Sequence, residues 1–123
     1  MEFVAGCITI LNGSNIDGDL VMVLGGEHAR YVLAGAEGGV DGYWPRVWAA
    51  RGLLYCYEPV AAEAISSALR DKSWRVREMS LKVIARHAVD ELMEDVLPLR
   101  NDPIERVRVA AERVLRKLDP SIN

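Results

Sequence analysis

The sequence predicts an all-α protein built as a short stack of helical hairpins. Two observations support this prediction. Apolar residues recur at three- and four-residue steps through the second half of the chain, and whole segments return after about thirty residues. A period of this length is typical of helix pairs that bury their apolar sides against one another. With 123 residues, we expect a single domain covering 1–123.

The repeat is clearest between the last two copies. The segment Arg75–Arg77 aligns with Arg106–Arg108, and Asp71 aligns with Asp102, at a spacing of thirty-one residues. Because both copies carry the same charged and apolar pattern, we expect them to fold as equivalent helical hairpins.

An earlier copy is more divergent. The segment Asp41–Trp44 matches Asp71–Trp74 at a spacing of thirty, which places Trp44 and Trp74 at equivalent positions. This alignment divides the chain into repeat-related segments 41–70, 71–101 and 102–118. They are preceded by a degenerate repeat or cap at 1–40. Terminal repeats are commonly atypical because they shield the core from water.

Each of the last two copies ends in a helix with one apolar side. The repeating positions are Val107, Ala110, Ala111, Val114, Leu115 and Leu118 in the last copy, and Val76, Met79, Ser80, Val83, Ile84 and His87 in the copy before it. We expect the first helices of these hairpins at about 59–70 and 90–100, the second of them bent or shortened by Pro98. The Asp ahead of each second helix is expected to be a turn or N-cap residue.

The first forty residues have a weaker pattern. The apolar segment Phe3–Leu11 predicts a capping helix or a strand. Leu20–Leu24 is apolar without a clear period, the pair Gly25-Gly26 interrupts it, and 27–34 is typical of a short helix.

The cysteines and histidines predict neither a metal site nor a cofactor. Cys7 and Cys56 lie far apart without a CxxC motif, so we expect both to be reduced and buried. His28 and His87 are isolated, and His87 is expected to be a partly buried structural residue. With no segment long and apolar enough to span a bilayer, we expect a cytoplasmic protein without membrane contact.

The second-helix pattern resembles that of HEAT repeats. An Asp-led turn precedes Val-Arg-x-x-Ala/Ser-x-x-Val-Leu/Ile, as at 107–115, and the resemblance covers about residues 41–118. It includes the short form of the repeat found in phycobilin-lyase-like proteins, and the chain is similar to small actinobacterial HEAT-repeat proteins. The resemblance implies a short right-handed α-α superhelix of about three hairpins, with the second helices lining an inner surface.

The resemblance also implies a ladder of ion pairs between neighbouring repeats. In such repeats the turn Asp commonly pairs with the Arg that follows Val. Here that set would be Asp71, Arg77, Asp102 and Arg108. The first copy has Val47 or Trp48 where this Arg is expected, so we expect no such arginine there and its part in the ladder stays open.

A stripe of cations follows the last two second helices. Residues 1–71 hold four Arg or Lys against nine Asp or Glu, whereas residues 72–123 hold eleven against nine. Projection at about 100° per residue places six cations in one narrow sector, with Trp44 and Trp74 near its border. We call these six the basic stripe: Arg75, Lys82, Arg86, Arg106, Arg113 and Lys117. The positions that we align with it in the first copy are Pro45, Gly52 and Cys56.

Two interpretations of the basic stripe remain open. It could bind an acidic segment of a partner protein or, less readily, nucleic acid, since the net charge is −3. Alternatively, its cations pair with Glu78, Glu112 and the acidic run at 90–95, and form only a solvated face. The leading hypothesis is a non-catalytic interaction or scaffold module. Nucleic-acid binding and an accessory lyase, the latter by resemblance alone, are the alternatives. A homodimer is also an open option.

Overall fold

In the computed structural model, residues 2–13, 18–27 and 42–121 are described, and their regular structure is entirely helical. The predicted all-α class is therefore confirmed. The α-helices are α1 (Glu2–Leu11), α2 (Gly18–Gly25), α3 (Trp44–Tyr55), α4 (Ala62–Ala68), α5 (Trp74–His87), α6 (Met93–Val96) and α7 (Glu105–Leu118). Short 3-10 helices lie at Pro59–Ala61, Asp90–Leu92 and Leu97–Asn101.

The N-terminal apolar segment forms α1, so the strand alternative is wrong. Its buried side chains recur at helical steps and are Val4, Cys7, Ile10 and Leu11. Gly13 follows the helix with a φ of 73°, and Gly26 follows α2 with a φ of 61°. These left-handed conformations favour glycine, which explains the interruption predicted at Gly25-Gly26. The helix expected at 27–34 lies outside the described residues beyond Glu27.

The helices that end the three copies lie side by side in chain order. Helix α5 packs between α3 and α7, while α1 and α2 pack on α3. Helix α4 packs against α5, and α6 with the Leu97–Asn101 turn packs against α7, forming a second layer. The core between these layers contains fully buried side chains from both, including Ile65, Val76, Ile84 and Leu115. Burial of these apolar side chains is the main stabilising contribution to the stack.

The first helices of the hairpins are shorter than predicted. The helix expected at 59–70 begins with a 3-10 turn and ends as α-helix at Ala68. The one expected at 90–100 consists of a 3-10 turn, the single α-turn of α6 and a second 3-10 turn. Pro98 has no N–H to donate to the carbonyl four residues earlier, so the α-helix cannot continue beyond Val96.

Two glycines allow α1 and α2 to approach α3 closely. A Cβ placed on Gly25 would lie 2.7 Å from the ring of Trp48, and one on Gly52 would lie 2.9 Å from Cys7 Sγ. Trp48 is only 3% exposed, so its side chain belongs to the packed core. The N-terminal helices therefore cover α3 through contacts that depend on small residues.

The turns ahead of α5 and α7 have the same geometry. Asp71 Oδ1 accepts the N–H of Ser73 at 2.8 Å, and Asp102 Oδ1 accepts the N–H of Ile104 at 2.9 Å. Each aspartate thus closes a turn through the backbone two residues on. Neither is the N-cap, which is Ser73 for α5 and Ile104 for α7.

Candidate interaction surface

An arginine–aspartate pair joins the second and third repeats. Arg77 donates from Nε to Asp102 Oδ2 at 2.8 Å and from Nη2 to Asp102 Oδ1 at 3.1 Å. Its Nη1 donates to the backbone oxygen of Asp71 at 2.7 Å. The two side chains are 12% and 3% exposed, so this bidentate pair is largely shielded from water.

The first repeat makes the same contact through Arg46, so the expectation that it has no such arginine is wrong. Arg46 Nε lies 2.7 Å from Asp71 Oδ2, and Nη2 lies 3.2 Å from Asp71 Oδ1. Arg46, Arg77 and Arg108 are each thirty-one residues apart. The structural period is therefore thirty-one throughout, and the match at thirty between 41–44 and 71–74 is shifted by one residue.

The third arginine keeps only part of this arrangement. Arg108 Nη1 donates to the backbone oxygen of Asp102 at 2.7 Å, as Arg77 does to Asp71. Within the described ranges, its Nε and Nη2 have no carboxylate partner. Among the described residues the ladder thus ends at Arg108, whose Nε and Nη2 are left without a carboxylate.

The corrected period changes which residues are equivalent. Trp44 corresponds to Arg75, not to Trp74, and the true first-copy equivalents of Lys82 and Arg86 are Arg51 and Tyr55. The alignment of the stripe with Pro45, Gly52 and Cys56 is therefore wrong. Arg51 donates from Nη2 to the backbone oxygen of Leu24 at 2.5 Å, so this cation holds α2 against α3.

One end of the basic stripe lies among aromatic rings. The Arg75 guanidinium carbon is 4.6 Å from the ring centre of Trp74 and 5.6 Å from those of Tyr43 and Trp44. Trp44 also stacks on Trp48, with ring centres 6.0 Å apart. Contacts of a guanidinium with ring faces are favourable, so Arg75 helps to hold α5 against α3.

Arg106 and Arg86 also have contacts within the chain. Arg106 Nε donates to Glu78 Oε2 at 3.0 Å, and its guanidinium carbon lies 5.3 Å from the Trp74 ring centre. The guanidinium carbon of Arg86 lies 5.6 Å from the ring centre of Tyr55. The pairing with Glu78 expected under the second interpretation of the stripe is thus present for Arg106.

Two other acidic residues named for that interpretation, Glu112 and Asp95, pair with arginines outside the basic stripe. Glu112 accepts from Arg100 Nε at 2.9 Å, and Asp95 lies 4.0 Å from Arg70. In the described part of the chain, three exposed stripe cations have no hydrogen bond, ion pair or ring contact. These are Lys82, Arg113 and Lys117.

Two of these three cations, Lys82 and Arg113, line a groove of about 360 Å³ between α5 and α7, whereas Lys117 does not. The lining residues come from these two helices alone, and they are Glu78, Leu81, Lys82, Ala85, Glu105, Arg106, Val109, Ala110, Arg113 and Val114. Leu81 and Val114 are buried at the floor, whereas Val109 is 42% exposed. The groove therefore combines an apolar floor with cations at its rim, and we call it the α5–α7 groove.

The exposed apolar side chain in this groove, Val109, was not among the residues predicted to contact a partner. Val109 lies two residues after the buried Val107, off the apolar side of α7. An isolated apolar residue among charges on the solvent side of an amphipathic helix was the signal that could have identified it.

A second cavity of about 400 Å³ lies at the start of α5. Its lining residues are Gly42, Tyr43, Arg46, Lys72, Ser73, Trp74 and Arg75. Arg46 and Arg75 are already held there by Asp71 and by the aromatic rings, so this cavity offers fewer unpaired groups than the α5–α7 groove.

His87 and Tyr57 form a structural contact beside α5. His87 is partly buried as predicted, with Nε2 2.8 Å from the backbone oxygen of Leu54 and its ring centre 4.9 Å from that of Tyr57. Burial, and secondarily the charge of Glu91, raises the pKa of Tyr57. Neither residue lies in the α5–α7 groove.

The two cysteines differ in exposure. Cys7 is fully buried, and burial together with the nearby Cys56 raises its pKa to about 11. Cys56 is exposed, so the expectation that both are buried is wrong. It follows α3 directly, where the chain turns out of the helix into the 3-10 turn that begins at Pro59.

The described residues contain no group of three or more His, Cys, Asp or Glu side chains placed to hold a metal ion. None of the helices in the described ranges combines the length and the apolar character needed to cross a bilayer. Comparisons with protein-family models, curated proteins and solved structures found no match for this chain. The use of the surface is therefore inferred from its own geometry.

Proposed function

We propose that this chain is a HEAT-like stack of about three hairpins that acts as a non-catalytic protein interaction module. Its ligand would be an acidic amphipathic helix of a partner protein, bound in the α5–α7 groove. Support for the stack comes from the repeated Arg46–Asp71 and Arg77–Asp102 pairs and from the side-by-side order of α3, α5 and α7. The proposal involves no cofactor, and we place the protein in the cytoplasm.

The observation that carries the proposal is that cations of the α5–α7 groove lie beside an exposed apolar side chain, Val109. Lys82 and Arg113 contribute charge at the rim, and within residues 2–13, 18–27 and 42–121 they have no partner that a ligand would have to displace. Val109 contributes apolar surface that a ligand would cover. An amphipathic helix fits such a groove because its apolar face can cover the floor while its acidic flanks reach the cations.

Nucleic acid is less well supported as the ligand. The groove combines its cations with apolar lining residues, and a phosphate backbone has no apolar face to cover them. Of the stripe cations, Arg75 and Arg106 already have contacts within the chain, which leaves few for phosphates. The accessory-lyase alternative rests on the resemblance to phycobilin-lyase-like proteins alone.

The proposal is tested by selecting peptides from a random library of helix-forming sequences displayed on phage. Wild-type protein is the bait, and the selected peptides are afterwards measured against the Lys82→Glu/Arg113→Glu variant. We expect enriched peptides to carry acidic residues flanking apolar residues at three- and four-residue steps. Their affinity should fall at least about tenfold on the reversed variant, since both cations contact the ligand.

The matched control is Arg70→Glu/Lys72→Glu, which makes the same change in net charge on exposed side chains outside the groove. Selected peptides should bind this control like wild type. Enrichment of peptides without acidic residues, or equal loss on both variants, would rule out recognition in the groove. Labelled duplex and single-stranded DNA, followed by fluorescence anisotropy at low salt, provide the nucleic-acid comparison.

A further inference from the structure

The repeated Arg–Asp pairs indicate which chemical group the Nε and Nη2 of Arg108 would bind. Arg46 and Arg77 both direct Nε and Nη2 at the carboxylate of an aspartate whose Oδ1 also accepts a backbone N–H two residues on. Arg108 is fixed by the same Nη1 contact to a backbone oxygen, at 2.7 Å. A carboxylate in a turn of this kind is therefore its complementary partner.

The chain contains a third turn of this type after α7. Asp119 Oδ1 accepts the N–H of Ser121 at 3.1 Å and its hydroxyl at 2.6 Å. These hydrogen bonds, that from the hydroxyl first, lower the pKa of Asp119, so its carboxylate is charged at neutral pH. In the described residues, no arginine pairs with Asp119, although arginines pair with both earlier turn aspartates.

Arg108 and Asp119 cannot pair with each other inside one chain. They are eleven residues apart along α7 and its end, a separation of about 16 Å at the helical rise. Two further charged residues lie between them on the same side of the helix, at four-residue steps from Arg108. In chain order the four are Arg108, Glu112, Arg116 and Asp119, and we call them the α7 charge row.

The charges of the α7 charge row alternate in sign along the helix. A second copy of the row running in the opposite direction therefore carries the complementary charge at each position. When two α7 helices lie antiparallel, Arg108 of each copy faces Asp119 of the other, and Glu112 of each faces Arg116. Glu112 accepts from Arg100 with Oε1 only, at 2.9 Å, which leaves Oε2 for a further donor. A two-fold axis forms every pair twice, as an isologous interface requires.

We infer that the α7 charge row is a self-association surface through which two copies of this chain pair by antiparallel contact of their α7 helices. The four residues of the row do not line the α5–α7 groove. A dimer of this kind would therefore present two grooves that remain open to ligands. The interface is polar, so we expect a weak dimer that salt dissociates.

The test is charge reversal with complementation, followed by sedimentation equilibrium at low salt up to about millimolar protein, the range of weak association. We expect wild type to dimerise, and Arg108→Asp and Asp119→Arg to weaken self-association at least about tenfold because each reversal creates repulsion twice. A mixture of the two variants should form a heterodimer, since the substituted residue at 108 of one variant then faces the substituted residue at 119 of the other, and the native Arg108 and Asp119 face each other in the second contact.

Arg113→Asp is the matched control, because it reverses a cation of the same helix outside the α7 charge row. It should leave dimerisation unchanged, whereas Arg108→Asp should leave binding of groove-selected peptides unchanged. The two proposals can therefore fail separately. Wild type that stays monomeric, single reversals without effect, or variants that weaken dimerisation but do not complement each other in the mixture would each overturn the inference.

Discussion

Arg46 and Arg77 each join neighbouring repeats with the same three donor groups. Each guanidinium donates twice to a turn aspartate and once to a backbone oxygen. Because the side chain of Asp102 is only 3% exposed, the pair is shielded from water, and loss of Arg77 would leave the Asp102 charge buried without compensation.

At this scale we predict that Arg77→Ala lowers the free energy of unfolding by about 3 kcal/mol, since Asp102 would remain buried and unpaired. Urea denaturation followed by circular dichroism measures the change. The control is Arg70→Ala, which removes an exposed contact of 4.0 Å to Asp95 and should cost less than about 0.5 kcal/mol. Equal costs for the two variants would show that the ladder does not hold the repeats together.

The cysteines give a second prediction. Because burial raises the pKa of Cys7 to about 11, only about one thiol in a thousand there is ionised at pH 8. Thiolate is the reactive form, so a thiol reagent should modify Cys56 rapidly in the native protein and Cys7 only after unfolding. Cys56→Ser should abolish the rapid phase and Cys7→Ser should not. Rapid modification of both thiols would contradict the placement of α1 against α3.

Individual residues were predicted unevenly from the sequence. The ion pair of Arg77 was predicted through the resemblance to HEAT repeats. Arg46 was missed because its motif has Pro45 in place of the usual Val and the preceding loop is one residue shorter. The constant separation of twenty-five residues between each Arg and its Asp was a usable signal. Contacts of Arg75 with Tyr43 and Trp44 depend on how α3 and α5 pack, which no local pattern specifies.

At the scale of elements, helix type followed from periodicity but helix length did not. Over a single turn, 3-10 and α-helical hydrogen bonding differ little in free energy. The packing of a few side chains therefore decides that 3-10 turns form on either side of α6. Pro98 was recognised as an interruption because its effect is purely local. Helix α3 was harder to recognise because Gly52 and Arg51 break the apolar pattern for contacts with α1 and α2.

Helix α3 provides the third prediction. Gly52→Ala should lower the free energy of unfolding by about 1 to 2 kcal/mol, because the clash with Cys7 Sγ and Leu24 at 2.9 Å outweighs the gain in helix propensity. Thermal or urea unfolding measures this. Ser67→Ala, an exposed position in α4, is the control and should be neutral or slightly stabilising. Stabilisation by Gly52→Ala would mean that α1 and α2 do not approach α3 as described.

At the scale of the whole molecule, the all-α class and the neighbour order of α3, α5 and α7 follow from repetition and amphipathicity. The α5–α7 groove could not be predicted, because it depends on how the two helices pack and on which cations find internal partners. The basic stripe predicted as one surface is divided in the structure. Arg75, Arg86 and Arg106 contact rings or a carboxylate, whereas Lys82 and Arg113 at the groove have no partner in the part of the chain that the structure describes.

The most direct test of groove recognition is a chemical-shift map of the ¹⁵N-labelled protein titrated with an acidic amphipathic peptide taken from the selection. We predict that the largest perturbations lie on α5 and α7 around Lys82, Val109 and Arg113, and that the Lys82→Glu/Arg113→Glu variant loses them. Perturbations centred instead on the aromatic cluster around Arg75 or on α1, or unchanged in that variant, would contradict the assignment of the α5–α7 groove as the binding site.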